Sequence, residues 1–130
     1  MVLVDSSAWV EYLRNTGSAA HHAVEAAVQD GTAASTDPVM LEVLSGTHPR
    51  LLDAVTRLLG NQTFVAQQSL LDVRAAVDAY HACRNRGFTP RSTTDCLIAA
   101  IAIRAGLPVL HCDRDFDVLA QCTPLEVISA

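Results

Sequence analysis

Met1-Val2-Leu3-Val4-Asp5-Ser6-Ser7-Ala8-Trp9-Val10 is the stretch whose reading decides the fold. An aliphatic run with no polar interruption marks a strand buried on both faces, the kind that parallel sheets contain. The run stops at Asp5, and Ser6 and Ser7 then offer hydroxyls to cap a helix over Ala8–Leu13. Ligands of open α/β sheets bind at the carboxyl ends of the strands. Asp5 therefore stands where chemistry takes place, unless it does no more than cap a turn.

Outward from this stretch, helices and strands alternate. Ser18 caps a helix through about Gln29, with Ala20, Ala23, Val24, Ala27 and Val28 at helical spacing. Thr32–Ser35 is expected as a second strand. Asp37-Pro38 is a strong helix start, a capping acid followed by proline, for Val39–Leu44. Pro49 opens a further helix whose apolar side is Leu51, Leu52, Val55, Leu58 and Leu59. Thr63–Ala66 reads as a third strand. A long helix from Leu70 to about Arg86 carries Val73, Ala76, Val77, Tyr80 and Cys83 as its stripe. Ser92 then opens a helix whose run Cys96–Ile103 is apolar all round, which predicts burial in the core. Leu107–His111 is a fourth strand, Asp117–Ala120 a short helix and Leu125–Ile128 an edge strand. The alternation predicts one α/β domain over residues 1–130 with a mainly parallel sheet.

Composition narrows the function. Half of the 130 residues are apolar, enough for a sizeable core. No apolar run reaches the ~18 residues of a membrane span, and the first residues form no charged-then-apolar leader. A cytoplasmic protein is expected, with no membrane partner. Cys83, Cys96, Cys112 and Cys122 contain no C-x-x-C pair and lie in apolar surroundings, so small buried hydrophobes are expected rather than a zinc or disulfide framework. All nine basic residues are arginine, which excludes P-loop phosphate binding and any other lysine-dependent mechanism. The net charge of −5 argues against a general nucleic-acid coating protein.

Four acids share one property: each is read as lying where a buried strand ends or a buried helix starts. They are Asp5, Glu42, Asp95 and Asp113, with Asp115 a close fifth. Glu42 interrupts a wholly apolar helix, so it is either turned to the surface or held inside near a positive group. Asp95 follows Ser92 at capping-box spacing, which offers a purely structural role; against this, its helix is buried and its carboxylate sits near the protein's centre. Clustered carboxylates repel and raise one another's pKa, so such a group calls for a cation. Oxygen donors without nearby His or Cys point to Mg²⁺ or Mn²⁺. One or two such ions activate water and neutralise charge on a phosphate, which implies phosphodiester hydrolysis.

The strand-terminal V-D-S-S-A-W-V, the M-L-E-V-L-S-G helix, the R-S-x-x-D-C-L-I-A-A helix and the strand-terminal H-C-D-R-D-F together resemble PIN-domain proteins, and among them the VapC-type toxins of toxin–antitoxin pairs. The resemblance covers essentially the whole chain, in the family's order. It implies a three-layer α/β/α sandwich and a Mg²⁺- or Mn²⁺-dependent endoribonuclease. It also implies a cognate antitoxin, an RNA substrate and a homodimer. Carried over by position, Asp5, Glu42, Asp95 and Asp113 match the family's metal-binding and catalytic acids, and Asp115 a further assisting acid. Ser7 matches a hydroxyl supporting the first acid, and Arg91 a basic residue before the third. The acidic balance departs from what an RNA enzyme leads one to expect, although two Mg²⁺ bring −5 to about −1.

Other residues carry paired readings. Arg84 and Arg86 crowd one helix end with Arg91, where they either grip substrate phosphates or complement the helix dipole from a solvated face. His111 lies near the acids but is expected to hold another hydrogen bond. Trp9 and Tyr12 are expected in the core or an interface, and Arg14 and Arg114 receive no role. A phosphohydrolase with an Asp nucleophile of the haloacid dehalogenase type wants D-x-D at the first strand, and Asp5-Ser6-Ser7 lacks the second Asp. A PIN-like interaction module without turnover is the non-enzymatic alternative.

Overall fold

Strand β1 (Val2–Val4) has hydrogen-bonded neighbours on both sides, which explains its unbroken aliphatic sequence. In the computed structural model, which describes residues 1–130, Leu3 pairs with Ala34 of β2 (Ala33–Thr36) and with Val109 of β4 (Val109–His111). The edges are β3 (Thr63–Val65) beside β2 and β5 (Val127–Ser129) beside β4, so the order is β3-β2-β1-β4-β5 and every pairing is parallel. The chain leaves β1 towards β2 and β3 and returns to β4 on the other side. The strand order therefore reverses between β1 and β4, and a crevice at their carboxyl ends is the expected ligand position of such a sheet.

Right-handed crossovers put the helices of the two directions on opposite faces. Helices α1 (Ser6–Leu13), α2 (Ala19–Gln29), α3 (Asp37–Ser45) and α4 (Leu52–Gly60) pack with one another. Helices α5 (Ser69–Asn85), α6 (Thr93–Ala105) and α7 (Arg114–Cys122) form the second layer. The three-layer α/β/α sandwich is thus as expected, with a sheet that is wholly parallel. Helix α6 is its most buried helix, and Gly106 ends it in the left-handed conformation at φ 68°. Helix α3 touches α6, which brings two acid-bearing helices together. No helix is long and apolar enough to cross a membrane.

Several local expectations are corrected. Helix α1 begins at Ser6 and is capped by Asp5 rather than by the serines. Asp37 does not cap α3: Thr36 holds the cap position, and Asp37 instead accepts the Gln67 N–H at 2.6 Å, tying the start of α3 to the end of β3. Residues Pro49–Leu51 form a 3₁₀ turn, which leaves Leu51 and Leu52 exposed. Helix α7 starts at Arg114, three residues before the expected Asp117, because Asp113 caps it. Cys83 and Cys96 are buried, but Cys112 is exposed and Cys122 half-buried; all four are free thiols. Trp9 is fully buried, with Tyr12 edge-on to it at 5.9 Å.

The inward face of α5 differs from the apolar stripe read in its sequence. Val73 and Val77 are exposed, while Asp72, Ala76, Ala79 and Cys83 point inwards. Asp72 is held there by an ion pair: Arg104 of α6 donates from Nε and Nη2 to the two Asp72 oxygens at 2.8 and 2.9 Å. Asp72 also accepts the Gln68 N–H at 2.6 Å, and Arg104 reaches the Ala66 carbonyl at 2.9 Å. A carboxylate held by this many charge-assisted bonds tolerates burial.

Arg104 hydrogen bonds hold the Asp72 carboxyl below the usual carboxylate range. A lowered folded-state pKa contributes stability that is whole above the unfolded value near ~3.9 and is lost as pH falls through the folded value. Asp72→Asn is expected to cost about 1–3 kcal/mol at pH 7. The gap between variant and parent should start to narrow below about pH 4, where the unfolded parent takes up a proton that the folded carboxyl still resists. Urea melts of both proteins at pH 7 and pH 3.5 read this directly; an equal gap at both pH values contradicts it.

Candidate active site

Asp5 follows the last residue of β1, and its N–H donates to the Leu110 carbonyl of β4 at 2.9 Å, which sets it at the edge of the crevice. Its two oxygens have different fates. Oδ2 accepts the Ser7 N–H at 3.0 Å and the Ser7 hydroxyl at 2.6 Å, the capping role. Ser7 Oγ in turn accepts the Cys112 N–H at 3.1 Å, so the backbone after β4 orients the hydroxyl towards Asp5. Oδ1 is buried and has no hydrogen-bond partner. Capping and ligation are thus compatible: one oxygen is bound by the helix start and the other is free.

Glu42 is turned to the surface, the first of its two readings, and no positive group pairs with it. Its side chain is exposed at the rim, where Oε1 accepts the Ser6 hydroxyl at 2.7 Å. The sequence offers Ser6 only as a helix cap, and the fold turns its hydroxyl to Glu42 instead. Asp95 is buried in the first turn of α6. Ser92 caps this helix by accepting the Asp95 N–H at 3.3 Å, but the Asp95 carboxylate does not return the bond. The Ser92 N–H goes instead to Asp115 Oδ2 at 3.1 Å. The reciprocal half of a capping box is therefore supplied by Asp115, and the Asp95 carboxylate has no capping task.

Asp113 caps α7, its Oδ1 accepting the Asp115 N–H at 3.0 Å, while its own N–H donates to His111 Nδ1 at 3.1 Å. His111 is buried, stacks obliquely on Phe116 at 5.2 Å and lies 3.3 Å from an Asp117 oxygen. Its hydrogen bonding thus serves the turn after β4, as expected. Asp115 is almost wholly enclosed. Its Oδ2 accepts the N–H groups of Arg91 at 2.8 Å and Ser92, and its Oδ1 lies 3.4 Å from Arg91 Nε. Arg91 Nη2 is 3.7 Å from Asp113 Oδ1. Arg84 and Arg86 lie at the end of α5, donating to Tyr80 Oη and to the Gln121 carbonyl, and neither forms an ion pair with the acids.

The acids fall into two overlapping triplets. Asp5, Glu42 and Asp95 bring ligand oxygens within 4.8 Å of one another, and so do Asp95, Asp113 and Asp115. Asp95 belongs to both. Burial pushes its carboxyl up to about 8, and the charges of Asp5, Asp113, Asp115 and Glu42 push the same way. Burial likewise raises Asp5 against its Ser7 hydrogen bonds, and raises Glu42 against that of Ser6. Such a group favours either a shared proton or a cation. An all-oxygen donor set with a buried orphan oxygen fits a hard divalent ion such as Mg²⁺ or Mn²⁺.

Known proteins resemble this chain in sequence and in fold. A family model described as "PIN domain" matches residues 2–121. The chain is 43% identical to VapC ribonuclease Mb1587 of Mycobacterium bovis, over 99% of this chain and 98% of that protein. It is equally similar, over the same shares, to ribonuclease VapC11 of Mycobacterium tuberculosis. In fold it resembles the crystal structure of VapBC2 from Rickettsia felis bound to a DNA fragment from their promoter, with a TM-score of 0.77, 13% identity and coverage of 100% of this chain and 99% of the other.

Proposed function

The chain belongs to the PIN-domain family, and from that premise we propose that residues 1–130 form one PIN domain acting as a Mg²⁺- or Mn²⁺-dependent endoribonuclease, the toxin of a toxin–antitoxin pair. The observation that carries this reading is the free, buried Oδ1 of Asp5 beside an Asp95 carboxyl raised to about 8. Asp5 and Asp95 would hold the metal, with Glu42 at the rim and Asp113 and Asp115 on the other side of Asp95. When bound, the ion supplies positive charge that lowers the pKa of water and offsets charge building on the scissile phosphate. Ser7 orients Asp5, and Ser6 keeps Glu42 turned towards Asp5. Glu42, exposed and raised in pKa, is the acid best placed to take a proton from water. Arg91 at the crevice, with Arg84 and Arg86 farther along, would contact flanking phosphates of the RNA.

The partner surfaces follow from two apolar grooves. One, of about 420 Å³, runs between α1, α3 and α4, is lined by Leu13, Val43, Val55 and Leu58, and reaches Glu42. It suits an antitoxin segment whose basic side chain extends to the acids. The other, of about 340 Å³ between α5 and α6, is flanked by exposed Leu70, Val73 and Val77 and suits a homodimer contact. A cytoplasmic location goes with this reading. Purified protein incubated with total cellular RNA should produce discrete fragments with millimolar Mg²⁺ or Mn²⁺ and none with chelator. Intact RNA under both conditions rejects the enzyme and leaves the interaction module, and sedimentation as a monomer at micromolar concentration rejects the dimer.

A further inference from the structure

The two carboxylate triplets are not equivalent. No ion pair reaches Asp5, Glu42 or Asp95, and Asp5 holds a buried oxygen without a partner. The other triplet already has a cation. Arg91 places Nη2 3.7 Å from Asp113 and Nε 3.4 Å from Asp115, and its backbone N–H fixes Asp115 Oδ2 at 2.8 Å. Both oxygens of Asp115 are engaged by Arg91 and Ser92, so this acid has little to offer an incoming ion. The Arg91 side chain is 71% exposed, so its guanidinium is tethered at the mouth of the site rather than locked within it.

We propose that Arg91 is a built-in cation for the Asp113–Asp115 half of the site, so that the protein takes one divalent ion, on the side of Asp5, Glu42 and Asp95, and admits a second only when the guanidinium is displaced. The inference rests on the metal-dependent reading above and deepens it. An arginine is suited to this position because it cannot lose its proton and its planar fork spans two carboxylates. It supplies a single charge in place of two, which relieves Asp113 and Asp115 and leaves the ligand oxygens on the Asp5 side unoccupied by any cationic side chain. The same guanidinium is free to swing towards a phosphate when one arrives.

Arg91→Gln removes the charge while keeping the backbone N–H that holds Asp115, and Arg91→Lys keeps the charge without the fork. Calorimetric titration with Mn²⁺ alone, on protein whose melting curve confirms folding, reads stoichiometry and Kd without any RNA. One ion per chain is expected for the parent and for Arg91→Lys. Arg91→Gln should take up two ions, or bind the first about tenfold more tightly. Two ions in the parent, or one ion with an unchanged Kd in Arg91→Gln, overturns the role of Arg91 while leaving the metal site standing. Failure of both proteins to bind Mn²⁺ overturns the metal-dependent reading and this inference together.

Discussion

Asp95→Asn should leave a folded protein that cuts RNA at least a hundredfold more slowly at saturating Mn²⁺. Asparagine keeps the volume of the side chain and the backbone N–H that Ser92 caps at 3.3 Å. The other half of the cap, from Ser92 N–H to Asp115, does not involve residue 95. No cap is therefore lost. What disappears is the carboxylate common to both triplets, and removing one oriented electrostatic partner typically costs about 10²–10³ in rate. Stability should move the opposite way. A carboxyl raised to about 8 costs the folded, metal-free protein free energy at neutral pH, and asparagine is free of that cost. A gain of roughly 1–3 kcal/mol without metal is expected. Melting curves and single-turnover cleavage on one preparation test both halves; near-parental cleavage by folded Asp95→Asn would sink the assignment.

The second large effect is linkage between metal and folding. A divalent ion that binds the assembled acids and not the unfolded chain stabilises the fold by about 2.7 kcal/mol at a hundred times Kd. The elements that bring the acids together are far apart in sequence: β1 and α1, α3, α6, and the β4–α7 turn. Unfolding therefore disperses the whole site. The melting temperature should climb with Mn²⁺ or Mg²⁺ concentration, and Asp5→Asn should blunt the climb while raising the metal-free starting point. An unchanged melting temperature across millimolar Mn²⁺, with no calorimetric heat, counts against ligation by these residues.

Much of this protein is legible in its sequence because the deciding signals are local. An aliphatic strand ending in Asp5, a helix apolar on every side after Asp95 and a strand leading to Asp113 are each read within about ten residues. Their alternation suffices for a parallel α/β sheet, since parallel strands require crossovers and crossovers have one hand. The acids could likewise be picked out, because a carboxylate at the end of a buried element conflicts with its surroundings.

Tertiary structure alone decided which conflict each residue resolves. Asp5 and Asp113 both proved to be helix caps, yet Asp5 retains a buried oxygen with no partner, and no spacing rule reports that. The capping box read at Ser92 and Asp95 is completed by Asp115, 23 residues after Ser92, which frees Asp95 for the metal site we propose. Helix α5 turns its valines outwards and points Asp72 at Arg104, a long-range ion pair that its apolar stripe does not report. Ser6 and Arg91 acquired their partners by the same route. Hydrophobic periodicity is a property of neighbouring residues, and so a sequence carries it openly. Hydrogen-bond and charge partners are chosen among groups that only folding brings within reach, and there the structure has the deciding word.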